Sequence, residues 1–192
     1  MPIQSLFVAL LLLATALEQS GDSVEIAGAD FRLTFVNAAF TNLTGYAPEE
    51  ALGKQPSELL RSSYHDDAFF AGIRQTITTG RGWSGRIVSR HKDGHLLHQD
   101  ATISPLRDEA GQISHYIAVK RDVSAQIQAE AALRASEARF HAAAESIPDG
   151  LAIFDAEDRF VYWNSRYPAH LSESVRTVLR PGIRFEDWIK AG

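Results

Sequence analysis

The 192-residue chain contains no cysteine. Disulfides, thiolate metal sites, cysteine nucleophiles and covalent cysteine adducts to a cofactor are therefore excluded. Positive charge is not in excess: 19 Lys and Arg stand against 24 Asp and Glu, a net charge of −5. No basic surface is available to neutralise phosphates, which argues against nucleic acid as a partner. Long apolar runs are also lacking. The run from Leu6 to Ala14 falls well short of the roughly 20 residues that span a bilayer.

No Lys or Arg precedes Arg32, so the positive start of a secretory signal is missing, although Ala14-Thr15-Ala16 has the pattern of a cleavage site. Leu6, Leu10, Leu13 and Leu17 recur at helical spacing, which suits a dimerising apolar helix over 1–19. A truncated membrane segment and a signal peptide stay open beside it. A catalytic constellation is missing too. Gly80-Arg81-Gly82 is too short for a phosphate loop, and no nucleophile elbow is present. Asp66-Asp67 suits the positive end of a helix dipole.

What the chain does have is a repeated phrase. Asp30-Phe-Arg-Leu-Thr-Phe-Val-Asn37 returns as Glu157-Asp-Arg-Phe-Val-Tyr-Trp-Asn164, an offset of 127 residues. Each copy reads as an acidic turn, a short apolar strand and an Asn able to start a helix. Repetition at that spacing means two related domains in series. The second copy has only Ser165 to Gly192 after it, so it reads as incomplete, with an open sheet edge and an unfilled core. Residues 146–192 are accordingly expected to be poorly stable.

Between the copies, residues 23–27 and 33–36 read as strands. Asn37 caps a short helix closed by Gly45, and Pro48 opens another at a tolerated first-turn position. Gly53 and Pro56 read as breakers. Residues 66–78 form a longer helix with Phe69, Phe70, Ile73 and Ile77 near one face. Strands follow over 83–90, 95–105 and 112–121, with a turn at Asp93-Gly94. Residues 125–145 are rich in Ala, Glu, Gln and Arg without Gly or Pro, which predicts a helix that Ser124 can cap. Leu133, Phe140 and Ile147 step by seven along it, but Glu130 and Glu137 spoil the companion line.

Phe35-Val-Asn-Ala-Ala-Phe40, Thr44-Gly-Tyr46, Pro48-Glu-Glu50, Arg90-His-Lys-Asp-Gly94, Asp108-Glu-Ala-Gly111 and Arg121-Asp-Val-Ser124 come in one order. On these pieces the chain resembles the PAS family of sensory domains. Ser146-Ile-Pro-Asp-Gly150 and Asp155-Ala-Glu-Asp158 resemble the opening of a second such domain, of the kind attached to histidine kinases and diguanylate cyclases. The resemblance implies an α+β fold: a five-stranded antiparallel sheet with helices on one face around a small pocket. A long linker helix and an incomplete second PAS domain follow. The implied domains are 1–19, 20–124, 125–146 and 147–192. The implied role is a sensory module, not an enzyme, that relays a ligand or redox signal through Asp122, Val123 and Ser124 to an effector outside the chain. The implied partners are a second copy, through the N-terminal and linker helices, and that effector. The implied location is cytoplasmic, with membrane contact only if the apolar start is a truncated span. A cofactor-free dimerisation scaffold and the front of a histidine kinase or diguanylate cyclase are the alternatives.

Trp83-Ser84-Gly85 resembles a segment of flavin-binding redox-sensor PAS domains, which implies that Trp83 stacks on a flavin such as FAD and Asn37 bonds its polar edge. The alternative is that Trp83 closes the core. The absence of cysteine excludes the flavin–cysteine adduct of light-sensing LOV domains. Haem is disfavoured: His65 lies where such domains place an axial ligand, but beside Asp66 and Asp67 it reads as a surface residue. His95 and His98 point to opposite faces of a strand. His91 and His95 flank a turn but lack a carboxylate partner, so no metal site is read. His141 lacks the residues of a phosphoacceptor motif.

Overall fold

The structure, a computed structural model, describes residue 15 and residues 18–191. Leu6, Leu10, Leu13 and Leu17, the basis for an N-terminal helix, lie outside the described residues. Among the described residues no helix is long and apolar enough to cross a membrane. The chain forms two compact units, Met1–Ile127 and Gln128–Gly192.

In the first unit, β1 (Ser23–Gly28) and β2 (Leu33–Val36) form a hairpin. Four helices follow: α1 (Ala38–Thr44), α2 (Pro48–Ala51), α3 (Pro56–Leu60) and α4 (Asp67–Thr78). Then come β3 (Trp83–Arg90), β4 (Leu96–Arg107) and β5 (Ile113–Asp122). The sheet order is β2-β1-β5-β4-β3, and every neighbouring pair is antiparallel. This is the expected five-stranded sheet with helices on one face. Pro56 is a correction: read as a breaker, it instead starts α3, because proline lacks only an N–H that the first helical turn leaves unpaired anyway.

Each sheet edge is covered in part, which limits pairing with foreign strands there. At β2, Leu33 N–H donates to Lys54 O and Gly53 N–H to Leu33 O, at 2.9 and 2.8 Å. At β3, the Ser62 hydroxyl donates to Val88 O, His65 Nε2 accepts from Val88 N–H at 3.0 Å, and Arg61 bridges Ser89.

The helix α5 (Ser124–Ser146) follows β5 directly, and the unit boundary falls inside it. The second unit adds β6 (Ala152–Phe154), β7 (Phe160–Trp163), a 3-10 turn (Tyr167–His170), α6 (Glu173–Val178) and α7 (Phe185–Ala191). In its interior Phe160 and Trp188 are buried and stand edge to face at 5.0 Å, while Val161, Phe185 and Ile189 are exposed. The Trp188 indole N–H donates to Val175 O at 3.0 Å.

The repeat is structural as well as sequential. Asn37 Oδ1 accepts from Val24 N–H and Phe40 N–H, and its amide donates to Asp22 O. Asn164 makes the same bonds to Leu151, Tyr167 and Asp149, each 127 residues on. In both copies a buried Asn staples a strand to the turn after its partner, satisfying backbone groups that neither ladder nor helix can reach.

Candidate functional site

A cavity of about 400 Å³ lies between the sheet and α3–α4 of the first unit. Its origin is legible in the strand register. Gly85 pairs with Ala101 and Ala101 with Lys120, while Ile103 pairs with Ala118 and Ala118 with Glu25. Directly paired residues share a face, so Ala118 places little volume on the inner floor between Ile103 and Glu25. The core is divided accordingly. Leu33, Val36, Phe40 and Leu60 pack at one end, and Ile73, Ile77, Ile87 and Tyr116 at the other.

Polar groups lie on the same floor. Glu25 and Lys120 both line the cavity, and Lys120 Nζ donates to Glu25 Oε1 at 2.6 Å with side chains 6% and 3% exposed. Ser89, also in the wall, donates to Gln99 Oε1 at 2.7 Å. Gln99 is fully buried, and its Nε2 has no hydrogen-bond partner among the described residues; nor has the Ser23 hydroxyl, whose residue pairs with Lys120. Buried polar atoms without partners are rare in folded proteins.

Phe31 forms part of the wall. It stacks on Tyr116 with ring centroids 4.7 Å apart, and the Arg74 guanidinium sits over its ring at 4.4 Å. Its φ is +65°, a strained conformation for a bulky residue. The equivalent position of the second copy holds Asp158 at φ +54°, a residue that tolerates this region. The first copy keeps an aromatic ring where the backbone disfavours one, and such outliers cluster at functional sites. Arg61 and Asp67, an ion pair, also line the cavity.

Asn37 and Trp83 do not line the cavity. The Asn37 side chain bonds the three backbone groups of its staple. Trp83 lies across Gly85: a Cβ built there would stand 2.9 Å from the indole. The ring meets Phe69 edge-on at 6.0 Å, so it closes the core between α4 and the sheet. His65 is not a solvated surface residue. Its ring stacks on Phe69 at 3.8 Å, and its Nε2 lone pair is occupied by Val88 N–H. Burial holds its pKa below the ordinary value, against the opposing pull of Asp66.

Asp122, Val123 and Ser124 join β5 to α5. Val123 N–H donates to His98 O at 2.9 Å, and His98 N–H donates to Ser124 Oγ at 3.0 Å. Asp122 Oδ1 accepts from Ser124 N–H at 2.9 Å. The Ser124 hydroxyl thus ties the helix start back to β4. Sequence reasoning missed Glu25 and Lys120, the charged pair of the floor.

A family model described as the PAS fold matches residues 17–128, and one described as the PAS domain matches residues 138–171. The chain is 30% identical over 156 residues to a nitrogen fixation regulatory protein of Klebsiella pneumoniae, covering 81% of this chain and 31% of the relative. It thus spans about a third of that relative's length. A solved RNA-binding light-oxygen-voltage receptor superposes with a TM-score of 0.60 at 27% identity, over 69% of this chain and 38% of that one. A light-oxygen-voltage domain studied with a flavin analogue superposes with a TM-score of 0.54 at 25% identity, over 67% and 96%.

Proposed function

This chain belongs to the PAS fold family, and from that premise we propose that it is a sensory signal-transduction module. A small molecule, or its redox state, is read in the cavity of the first unit and relayed through Asp122, Val123 and Ser124 into α5, toward an effector domain. The observation that carries the reading is one strand with two tasks. On β5, Ala118 and Lys120 line the cavity, and three residues after Lys120 the strand reaches the clamp between Val123–Ser124 and His98. A displacement of the floor therefore has a direct covalent path to the helix start. The ligand moves the equilibrium only through its different affinity for the two states of that clamp.

The walls select an amphipathic guest. Apolar surface comes from Phe31, Ile73, Ile77 and Tyr116, and hydrogen-bonding groups come from Glu25, Ser89 and Lys120. FAD fits this donor set only if Glu25, Ser89 and Lys120 meet its polar edge, since Asn37 and Trp83 are engaged elsewhere. When bound it would supply redox chemistry. A haem would have to take His65 from Val88. The second unit is proposed as the opening of another PAS domain, in line with the match over residues 138–171. A homodimer through α5 is proposed from Leu133 and Phe140, which are 61% and 46% exposed at heptad spacing.

Hydrogen exchange tests the relay. Ala118→Leu fills the cavity from its floor and should change protection of the amides of Val123 to Ile127 by at least about tenfold. Unchanged protection there, in a variant that folds, contradicts the relay.

A further inference from the structure

The β3–β4 hairpin carries a side-chain cluster that neither cavity nor relay uses. His91 N–H donates to His95 O and Gly94 N–H to His91 O, both at 2.9 Å. These bonds set the two histidines opposite one another, and their rings stack at 4.4 Å. Gly94, at φ +102°, permits the reversal. Between them Asp93 folds back. Its Oδ1 accepts from His95 N–H at 3.1 Å and lies 2.5 Å from His95 Nδ1 and 2.9 Å from His91 Nδ1. The ligand atoms of all three residues lie within 4.8 Å of one another. The sequence reading set these histidines aside for want of a carboxylate; the turn itself supplies one.

We propose that His91, Asp93 and His95 form a binding site for a divalent transition metal ion, with Zn²⁺ as the representative. Two imidazoles and one carboxylate make a donor set that suits zinc and its neighbours, whereas Mg²⁺ and Ca²⁺ prefer oxygen alone. Three protein ligands leave a fourth tetrahedral position open to water or to a further group.

The turn is anchored to its surroundings. The His91 ring rests against Gly45, where a Cβ would come within 2.7 Å of Nε2. Lys92 N–H donates to Thr44 O at 3.0 Å, anchoring the turn to the end of α1. The one lysine of the turn is neutralised, its Nζ donating to both Glu50 carboxylate oxygens at 2.6 and 2.7 Å. His91 Nδ1 accepts Asp93 N–H at 3.1 Å and lies beside the Asp93 carboxylate; a cation bound there takes that lone pair in place of the exposed turn N–H. Asp93 and His95 are exposed and His91 is half-buried, so an ion reaches the site from solvent.

Calorimetric titration of ZnCl₂ into the full chain at pH 7.5 tests the proposal on wild type, His95→Ala and Asp93→Asn. Asparagine keeps an oxygen to accept from His95 N–H, so the turn is retained. The expected result is one tight Zn²⁺ per wild-type chain and affinity weakened at least about tenfold in each variant. Circular dichroism and melting in EDTA should match wild type. A wild type that takes up no Zn²⁺, or variants that bind it as tightly as wild type, would overturn the site. Displacement of Zn²⁺ by equimolar MgCl₂ would overturn the assigned metal class.

Discussion

Breaking the Glu25–Lys120 pair by one residue at a time should cost far more than replacing it whole. The two charges sit 2.6 Å apart with almost no exposure to water. Either Glu25→Leu or Lys120→Met strands one ion in the floor, at a cost of about 3–5 kcal/mol. That is a large part of the roughly 5–15 kcal/mol that holds a domain folded. The joint change Glu25→Leu with Lys120→Met leaves no stranded charge and should be near neutral, or stabilising by about 1–4 kcal/mol. An internal control is at hand in Arg86–Asp100, at 2.9 Å but about half exposed on each side; alanine at either position should cost no more than about 1 kcal/mol. Urea unfolding followed by circular dichroism gives the four free energies of the cycle, which should show a coupling above about 2 kcal/mol. Single variants within about 1 kcal/mol of wild type, or a double variant as unstable as the worse single, would refute the reasoning.

Phe31→Asn exchanges a strained ring for a residue at ease with positive φ. Relief of about 1–3 kcal/mol sets against loss of the Tyr116 stack, about 0.5–1.5 kcal/mol, and of apolar burial. The urea midpoint should therefore move little, and a loss above about 3 kcal/mol would show that strain is absent. Protonated His65 can no longer accept Val88 N–H, and its folded pKa is depressed below the unfolded value of about 6.5. Its stabilisation is therefore full above pH 6.5 and is lost as pH falls from there through the folded pKa. That part of the stability–pH profile should vanish in His65→Leu, and an identical profile would rule out the bond. Gly85→Ala drives a methyl into the Trp83 indole and should lower stability by about 1–3 kcal/mol, read from thermal melts; a neutral outcome would show that the ring can move aside.

Local chemistry made much of the fold legible. Asn37, Gly45 and Pro48 marked helix ends, Asp93-Gly94 marked a hairpin, and the 127-residue echo of Asn37 in Asn164 announced the second copy. The site was less legible, because its parts meet only through long-range register. Glu25 and Lys120 are 95 residues apart, and a charge in a strand reads as solvent-facing until its partner is known. Asn37 and Trp83 were read as ligand contacts; the structure sets Asn37 in a staple with the backbone of Asp22, Val24 and Phe40 and Trp83 across Gly85. Asp93 was read for its turn alone, so its carboxylate went unweighed beside His91 and His95. His65 was judged by its acidic neighbours in sequence, whereas Val88, 23 residues on, decides its role.

Native mass spectrometry of the chain purified from cells, wild type beside Ala118→Phe, tests the ligand cavity most directly. The account predicts a small molecule bound one to one in wild type and missing from the variant, whose phenyl ring fills the floor. A wild type with the mass of the bare chain, or the same bound mass in both proteins, would contradict it.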